Sequence, residues 1–260
     1  PLTVRNEPHG ELAQLFGAVR AHVDAVDPDV LLVFDTDHFA NFYYHKLPVF
    51  ALGVAQSSSG PGPDDWPGLT SFEDVPVAED LGRHVYLHAL DHSFDVTLAE
   101  EFTIDHSITV PLEMLSPAME RPMLPFWVNG IAPPLPLARR VFGAGCMVRD
   151  AIATWPSQLR VAIVASGAIS GDIGGPHARP GQPGGPPDEA WVRFAVDCMR
   201  GARIDDFLNA ATRDRLRQAG NVAGECLNWI ALLGAVGDRR PRHIEMQLQG
   251  GNAYAAWRWD

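Results

Sequence analysis

The amino-acid sequence predicts a single α/β domain built on a central mixed β-sheet flanked by helices. Two observations lead there. Short apolar runs alternate along the chain with longer stretches of helical periodicity, the order expected of layered α/β folds. The run "VLLVFDTDH" carries no polar alternation in its first half, the mark of a strand covered on both faces. With 260 residues, 46% of them hydrophobic, the chain is long enough to bury a sizeable core. One domain over residues 1–260 is therefore expected, without a first strand ahead of its first long helix.

Taken in order, residues 10–26 ("GELAQLFGAVRAHVDAV") set Leu12, Leu15, Phe16, Val19, Val23 and Val26 at helical spacing. "DPDV" breaks that helix, and "VLLVFDTDH" follows as a strand. "PVFALGVAQ" reads as a second strand, and "SSSGPGPDDWPG" at 57–68 as a surface loop rich in turn formers. A helix fits 75–90, with a strand around "FDVTLAEEFTI" after it. "MLPFWVNG" is strand-like, "LPLARRVFGAGCMVRDAIATW" helical, and "LRVAIVASGAIS" a buried strand. Residues 174–188 hold too much Gly and Pro for regular structure and are expected as a long loop or lid. Helices fill roughly 188–234, and "NAYAAWRW" closes the chain.

Composition excludes several function classes. The net charge is −12, acids outnumber bases 32 to 20, and Lys46 is the sole lysine. Nucleic acid is not an expected partner, because neutralising phosphates needs a basic face. No apolar run approaches the ~20 residues of a membrane span, and no signal peptide opens the sequence. Cys146, Cys198 and Cys226 are odd in number and lack CxxC spacing. They are expected as free thiols in a cytoplasmic protein.

The residues with chemical potential are acids and histidines at strand ends. Asp37-His38, Asp91-His92 and Asp105-His106 are three Asp-His pairs. The first and third fall where a sheet delivers ligand-binding groups; the second sits in a polar turn after a helix. Far downstream, Glu225 lies at an apolar helix start, in "GNVAGECLNWIALLGA". A carboxylate there is costly to bury unless paired or metal-bound; a helix-dipole acid is the plainer alternative. Histidine and glutamate are two of the three groups of a 2-His-1-carboxylate iron site. Phe39, Phe42, Tyr43 and Tyr44 follow His38. The two phenylalanines suit core or pocket equally, whereas Tyr43, Tyr44 and His45 have polar ends that favour a pocket or interface.

The order "DTDHFANFYYHKLPVFALG", "FTIDHSITVPLEML", "LPFWVNGIAPPLPLARRVFGAG", "VASGAISGDIGGP", "GNVAGECLNWIALLGA" resembles the class III extradiol ring-cleaving dioxygenases, of the protocatechuate 4,5-dioxygenase and 2,3-dihydroxyphenylpropionate 1,2-dioxygenase type. The resemblance covers nearly the whole chain. It implies an Fe(II) enzyme cleaving a catecholic or aminophenol-type ring with O₂, working as a homo-oligomer or with a related subunit. It implies His38 and Glu225 as iron ligands, and Asp105-His106 as the catalytic pair beside bound catechol and oxygen. Asn252 and Ala253 match a segment that contacts substrate, and Asn129 a structural turn.

Two departures accompany it. The family's first iron-binding histidine sits on an N-terminal strand, here expected upstream of Pro1, since His9 lies too close to the first long helix. The family's acid/base histidine follows a serine, whereas here Ser170 precedes Gly171 and Asp172. Substrate deprotonation then falls to the metal, Asp172 or water; His177 and Arg179 lie further along the Gly/Pro stretch. These departures keep a rival open: a non-catalytic subunit or binding protein of the same fold.

Overall fold

The computed structural model describes residues 2–174 and 184–259, so the readings that fall on His177 and Arg179 lie outside the described residues. Helices α1 (Leu2–Asn6) and α2 (Glu11–Val26) precede strand β1 (Val30–Asp35). Strands β2 (Phe50–Gly53), β3 (Ser57–Gly60) and β4 (Phe72–Pro76) come next, then helix α3 (Glu79–Asp91), β5 (Thr97–Ala99) and helix α4 (His106–Leu115). The second half runs β6 (Met123–Val128), α5 (Ala138–Thr154), β7 (Val161–Ala165), α6 (Glu189–Gly201), α7 (Ile204–Ala210) and α8 (Arg213–Gln218). A 3₁₀ turn at Ala223–Glu225 leads into α9 (Cys226–Val236), and β8 (His243–Gln247) and β9 (Asn252–Ala256) finish it as an antiparallel pair.

The central sheet has the strand order β5-β2-β6-β1-β7. Strands β6, β1 and β7 are parallel, and β2 runs antiparallel to β6. The sheet is mixed, as the alternation of strand and helix patterns predicted. Its central strand β1 is buried at all six positions. Val30, Leu32 and Phe34 enter one core with residues of α3, α5, α6 and α9; Leu31 and Val33 enter the other, with Ile108 and Leu112 of α4. Each such side chain contributes about 1.5–3 kcal/mol by leaving water. Every residue of α9 is buried, as a helix apolar all round must be. It lies so close to α5 that a Cβ on Gly145 would stand 1.9 Å from the Ala231 carbonyl oxygen.

Several elements depart from expectation for identifiable reasons. The stretch 57–68 is not all loop: Ser57–Gly60 is a strand paired with β4, and Ser58 is buried with its hydroxyl donating to the Phe102 carbonyl. Serines turned inward to satisfy backbone groups look like loop composition in a sequence. The helix read over 75–90 starts only at Glu79, because Phe72–Pro76 pairs with β3. β7 is half-buried rather than buried, having one strand neighbour, β1, among the described residues. Asp105-His106 opens a helix rather than ending a strand, with Asp105 as the N-cap of α4. Cys198 and Cys226 are buried and Cys146 is half-buried, all as free thiols. No helix of the described residues is long and apolar enough to cross a membrane.

Candidate active site

The carboxyl ends of β1, β6 and β7 meet the start of α9, and a small polar network joins them. The Asn228 side-chain amide donates to the Ser166 carbonyl at 2.7 Å and to the Thr36 hydroxyl at 3.1 Å. Thr36 in turn donates to the Val128 carbonyl at 3.0 Å, and the Trp229 indole to the Gly167 carbonyl at 2.9 Å. Strand ends would otherwise leave these carbonyls unpaired in an apolar setting, at a cost of about 1–3 kcal/mol each. The network fixes the position of Glu225, the residue just before α9. Gly167 makes room for it: its φ is +142°, and a Cβ there would sit 2.7 Å from the Glu225 Cβ. Only glycine takes that backbone conformation and that approach together.

Glu225 is 7% exposed, and its two oxygens are divided between two partners. Oε2 accepts the Ala168 backbone N–H at 2.8 Å, while Oε1 lies 3.0 Å from His38 Nε2. His38 leaves β1 three residues past its last residue. Its backbone N–H donates to Asp105 Oδ2 at 2.8 Å, so the helix cap of α4 also sets the course of the histidine. Burial opposes a charge on His38, but the hydrogen bond and negative charge of Glu225, with Asp105 and Asp35 behind, raise its pKa to about 9. Its Nδ1 is buried without a hydrogen-bond partner.

Acids gather under this histidine. Asp105 is buried and accepts the Ser107 backbone N–H at 3.0 Å, and the Ser107 hydroxyl bonds both Asp105 and Asp35. Asp35 is pushed well above the usual carboxylate range, first by desolvation and then by the charge of Asp105. The Ser107 hydroxyl thus bridges the two carboxyl groups. Asp37 accepts from the Asn41 and Phe42 backbone and shapes the loop after His38.

His106 stacks on His38, with ring centroids 4.6 Å apart and planes inclined by 19°. Its Nδ1 lies 2.5 Å from Asp65 Oδ1, and its backbone N–H donates to Asp65 Oδ2 at 3.0 Å. Burial opposes the charge on Asp65, but His106 and the hydrogen bonds outweigh it and hold the carboxyl below its ordinary value. Asp65 lies in the stretch that composition reads as a surface loop, and sequence reasoning missed it. The one available signal was an aromatic beside two acids, "DDW", inside a Gly/Pro run.

His38, His106, Glu225, Asn252 and Ala253 all line one cavity of about 1010 Å³. Its far wall is apolar, formed by β7 and by Phe16 and Val19 of α2. Of the aromatic residues after His38, none joins that wall. Tyr43 and Tyr44 are 51% and 77% exposed, so the expected pocket role of this pair finds no geometric support. Phe42 packs edge-on against Trp127, and Phe39 pairs with Tyr44 at 5.0 Å. Asp105 faces His38 and Ser107, not the cavity. Asp172 accepts the Asn221 backbone N–H at 2.6 Å and is likewise outside the lining. Asn129 closes a turn through two bonds with Ala132, as a structural residue would.

The donor set suits a divalent cation in part. Adjacent ligands on an octahedral ion with bonds of about 2.1 Å stand about 3.0 Å apart, and His38 Nε2 and Glu225 Oε1 are 3.0 Å apart. Among the described residues no group of three His, Cys, Asp or Glu side chains is arranged to hold a metal. The described residues thus bring together one imidazole and one carboxylate.

Residues 3–256 match the model of a family described as the catalytic LigB subunit of aromatic ring-opening dioxygenase. The chain is 29% identical to a 2,3-dihydroxyphenylpropionate/2,3-dihydroxicinnamic acid 1,2-dioxygenase from Rhodococcus rhodochrous, over 85% of this chain and 80% of that one. It is 27% identical to a protein of the same name from Xanthobacter autotrophicus, over 92% and 88%. It also resembles the crystal structure of an uncharacterized protein from Escherichia coli K12, with a TM-score of 0.56 and 14% identity over 91% and 90% of the two chains. That last likeness speaks for the fold alone.

Proposed function

The chain belongs to the aromatic ring-opening dioxygenase family, and from that premise we propose a non-haem Fe(II) extradiol enzyme in which His38 and Glu225 are metal ligands. The observation that carries this reading is the 3.0 Å approach of His38 Nε2 to Glu225 Oε1 at the mouth of strands β1 and β7. Ferrous iron, when bound, would bring the two oxygens of a catechol and dioxygen into one coordination sphere, overcoming the sluggish reaction of triplet oxygen with a closed-shell ring.

The protein's own groups divide the remaining work. Glu225 is aimed by the Ala168 N–H, and His38 by the Asp105 carboxylate that holds its backbone. Such supporting bonds orient ligands and commonly matter 10–100-fold for affinity or activity. His106, stacked beside His38, is the group placed to hold or deliver a proton at Nε2, because Nδ1 is engaged by Asp65. Asn252 and Ala253 on β9 line the cavity and would meet the ring substituent. The apolar wall of α2 and β7 would seat the ring and keep water from it.

The substrate class is a catechol, or related aminophenol, carrying a side chain, since a cavity of about 1010 Å³ exceeds what a bare ring needs. The two relatives named above are 2,3-dihydroxyphenylpropionate dioxygenases, which makes that compound the first to try. Assembly as a homo-oligomer or with a related subunit, in the cytoplasm, is carried over from the family. The test is anaerobic reconstitution with Fe(II), then a panel of catechols, aminophenols and hydroxylated aromatic acids. Oxygen uptake with a yellow ring-opened product is expected; stoichiometric iron without turnover on any of them would end the reading.

A further inference from the structure

We propose that Asp65 is the positioning residue for His106, fixing its imidazole in the tautomer that carries the proton on Nδ1 and turns Nε2 to the cavity. This rests on the proposed role of His106. Each oxygen of the Asp65 carboxylate takes a different group of the same residue: Oδ1 meets the ring Nδ1 at 2.5 Å, and Oδ2 accepts the backbone N–H at 3.0 Å. A carboxylate accepting both the ring and the main chain of one histidine fixes where the ring stands as well as which nitrogen holds the proton. Ionised carboxylates only accept, so Nδ1 must be the donor.

The rest of the surroundings fits this division. The ring of His38 stacks on that of His106, parallel within 19° at 4.6 Å, which holds the plane of the imidazole, while the bond to Asp65 resists a half-turn within that plane. Trp66, the next residue after Asp65, stands with its ring 6.3 Å from that of His106, inclined by 56°. Asp105 precedes His106 in sequence and has the look of its partner, yet its carboxylate is spent on Ser107 and the His38 backbone. The loop at 61–71 therefore supplies what the neighbouring acid does not, and an insertion or deletion there would act on the chemistry without touching the lining.

The experiment combines spectroscopy with kinetics. In ¹⁵N-histidine-labelled wild-type protein without metal at pH 8, the His106 signals, assigned by their loss in His106→Asn, are expected to show a protonated Nδ1 and an unprotonated Nε2. An Nε2–H tautomer would overturn the proposal. This readout does not depend on turnover, so it stands apart from failure of the dioxygenase reading. In the Fe(II)-loaded enzyme, Asp65→Asn is expected to lower kcat about 10–100-fold with KM and iron stoichiometry within about two-fold, and Asp65→Glu to recover part of the loss. An unchanged kcat in Asp65→Asn, or equal loss of iron and rate, would also overturn it.

Discussion

His38 Nε2 and Glu225 Oε1 stand 3.0 Å apart although 187 positions separate them in the chain. If this pair holds the metal, removing either donor removes the metal. His38→Ala and Glu225→Ala are each expected to leave folded protein with substoichiometric iron and at least ~100-fold less ring cleavage. Metal analysis after anaerobic loading, with circular dichroism as a folding control, checks this. Full iron content in either variant would release that residue from the role.

Asp105 caps α4 and holds the His38 backbone from a buried position. Asp105→Ala removes the cap and strands the Ser107 and His38 N–H groups, for a loss of about 1–3 kcal/mol. Urea unfolding should show the midpoint fall with an unchanged slope. A variant as stable as wild type would mean that neither bond contributes.

Gly167 leaves the space that the Glu225 side chain fills. Gly167→Ala forces a Cβ into that space from a backbone conformation alanine resists, so about 1–3 kcal/mol of stability should go, together with iron affinity. Iron titration and thermal melting of the same sample separate the two effects. Wild-type values in both would show that the loop relaxes freely.

Asp188 caps α6, accepting the Trp191 N–H at 3.0 Å, and pairs with Arg215 at 2.7 Å. Burial works against its charge, but these bonds prevail and depress its pKa. A carboxyl lowered on folding stabilises above its unfolded pKa of about 3.9 and loses that contribution as pH falls through the folded value. The stability gap between wild type and Asp188→Asn should thus stay level from pH 7 to about 5 and close below about 4. Urea midpoints at several pH values would show it; a gap that widens on acidification has the wrong sign.

Tyr44 is 77% exposed and away from the cavity. Tyr44→Ala is expected to leave KM and kcat within about two-fold, as surface changes usually do. A large rise in KM would restore the pocket role first read from its polar end.

What the sequence determined by itself was periodic or tied to motif order. The uninterrupted apolar run of β1 announced a strand buried on two faces, and residues 10–26 and 138–154 carried their helices in their spacing. His38 and Glu225 stood out because a polar group at an apolar boundary must have a partner. Tertiary structure alone decided who the partners were. Asp65 reaches His106 across 41 positions, through a loop whose composition reads as solvent-facing. Asp105, beside His106 in the chain, turns to His38 instead, because a helix cap directs its carboxylate along the helix axis rather than toward its neighbour's ring. Tyr43 and Tyr44 went outward for a similar reason. Their direction was set by the loop that Asp37 ties down, a bond no local pattern records. Periodicity reports which face is buried; only the packed chain decides which groups from distant faces meet.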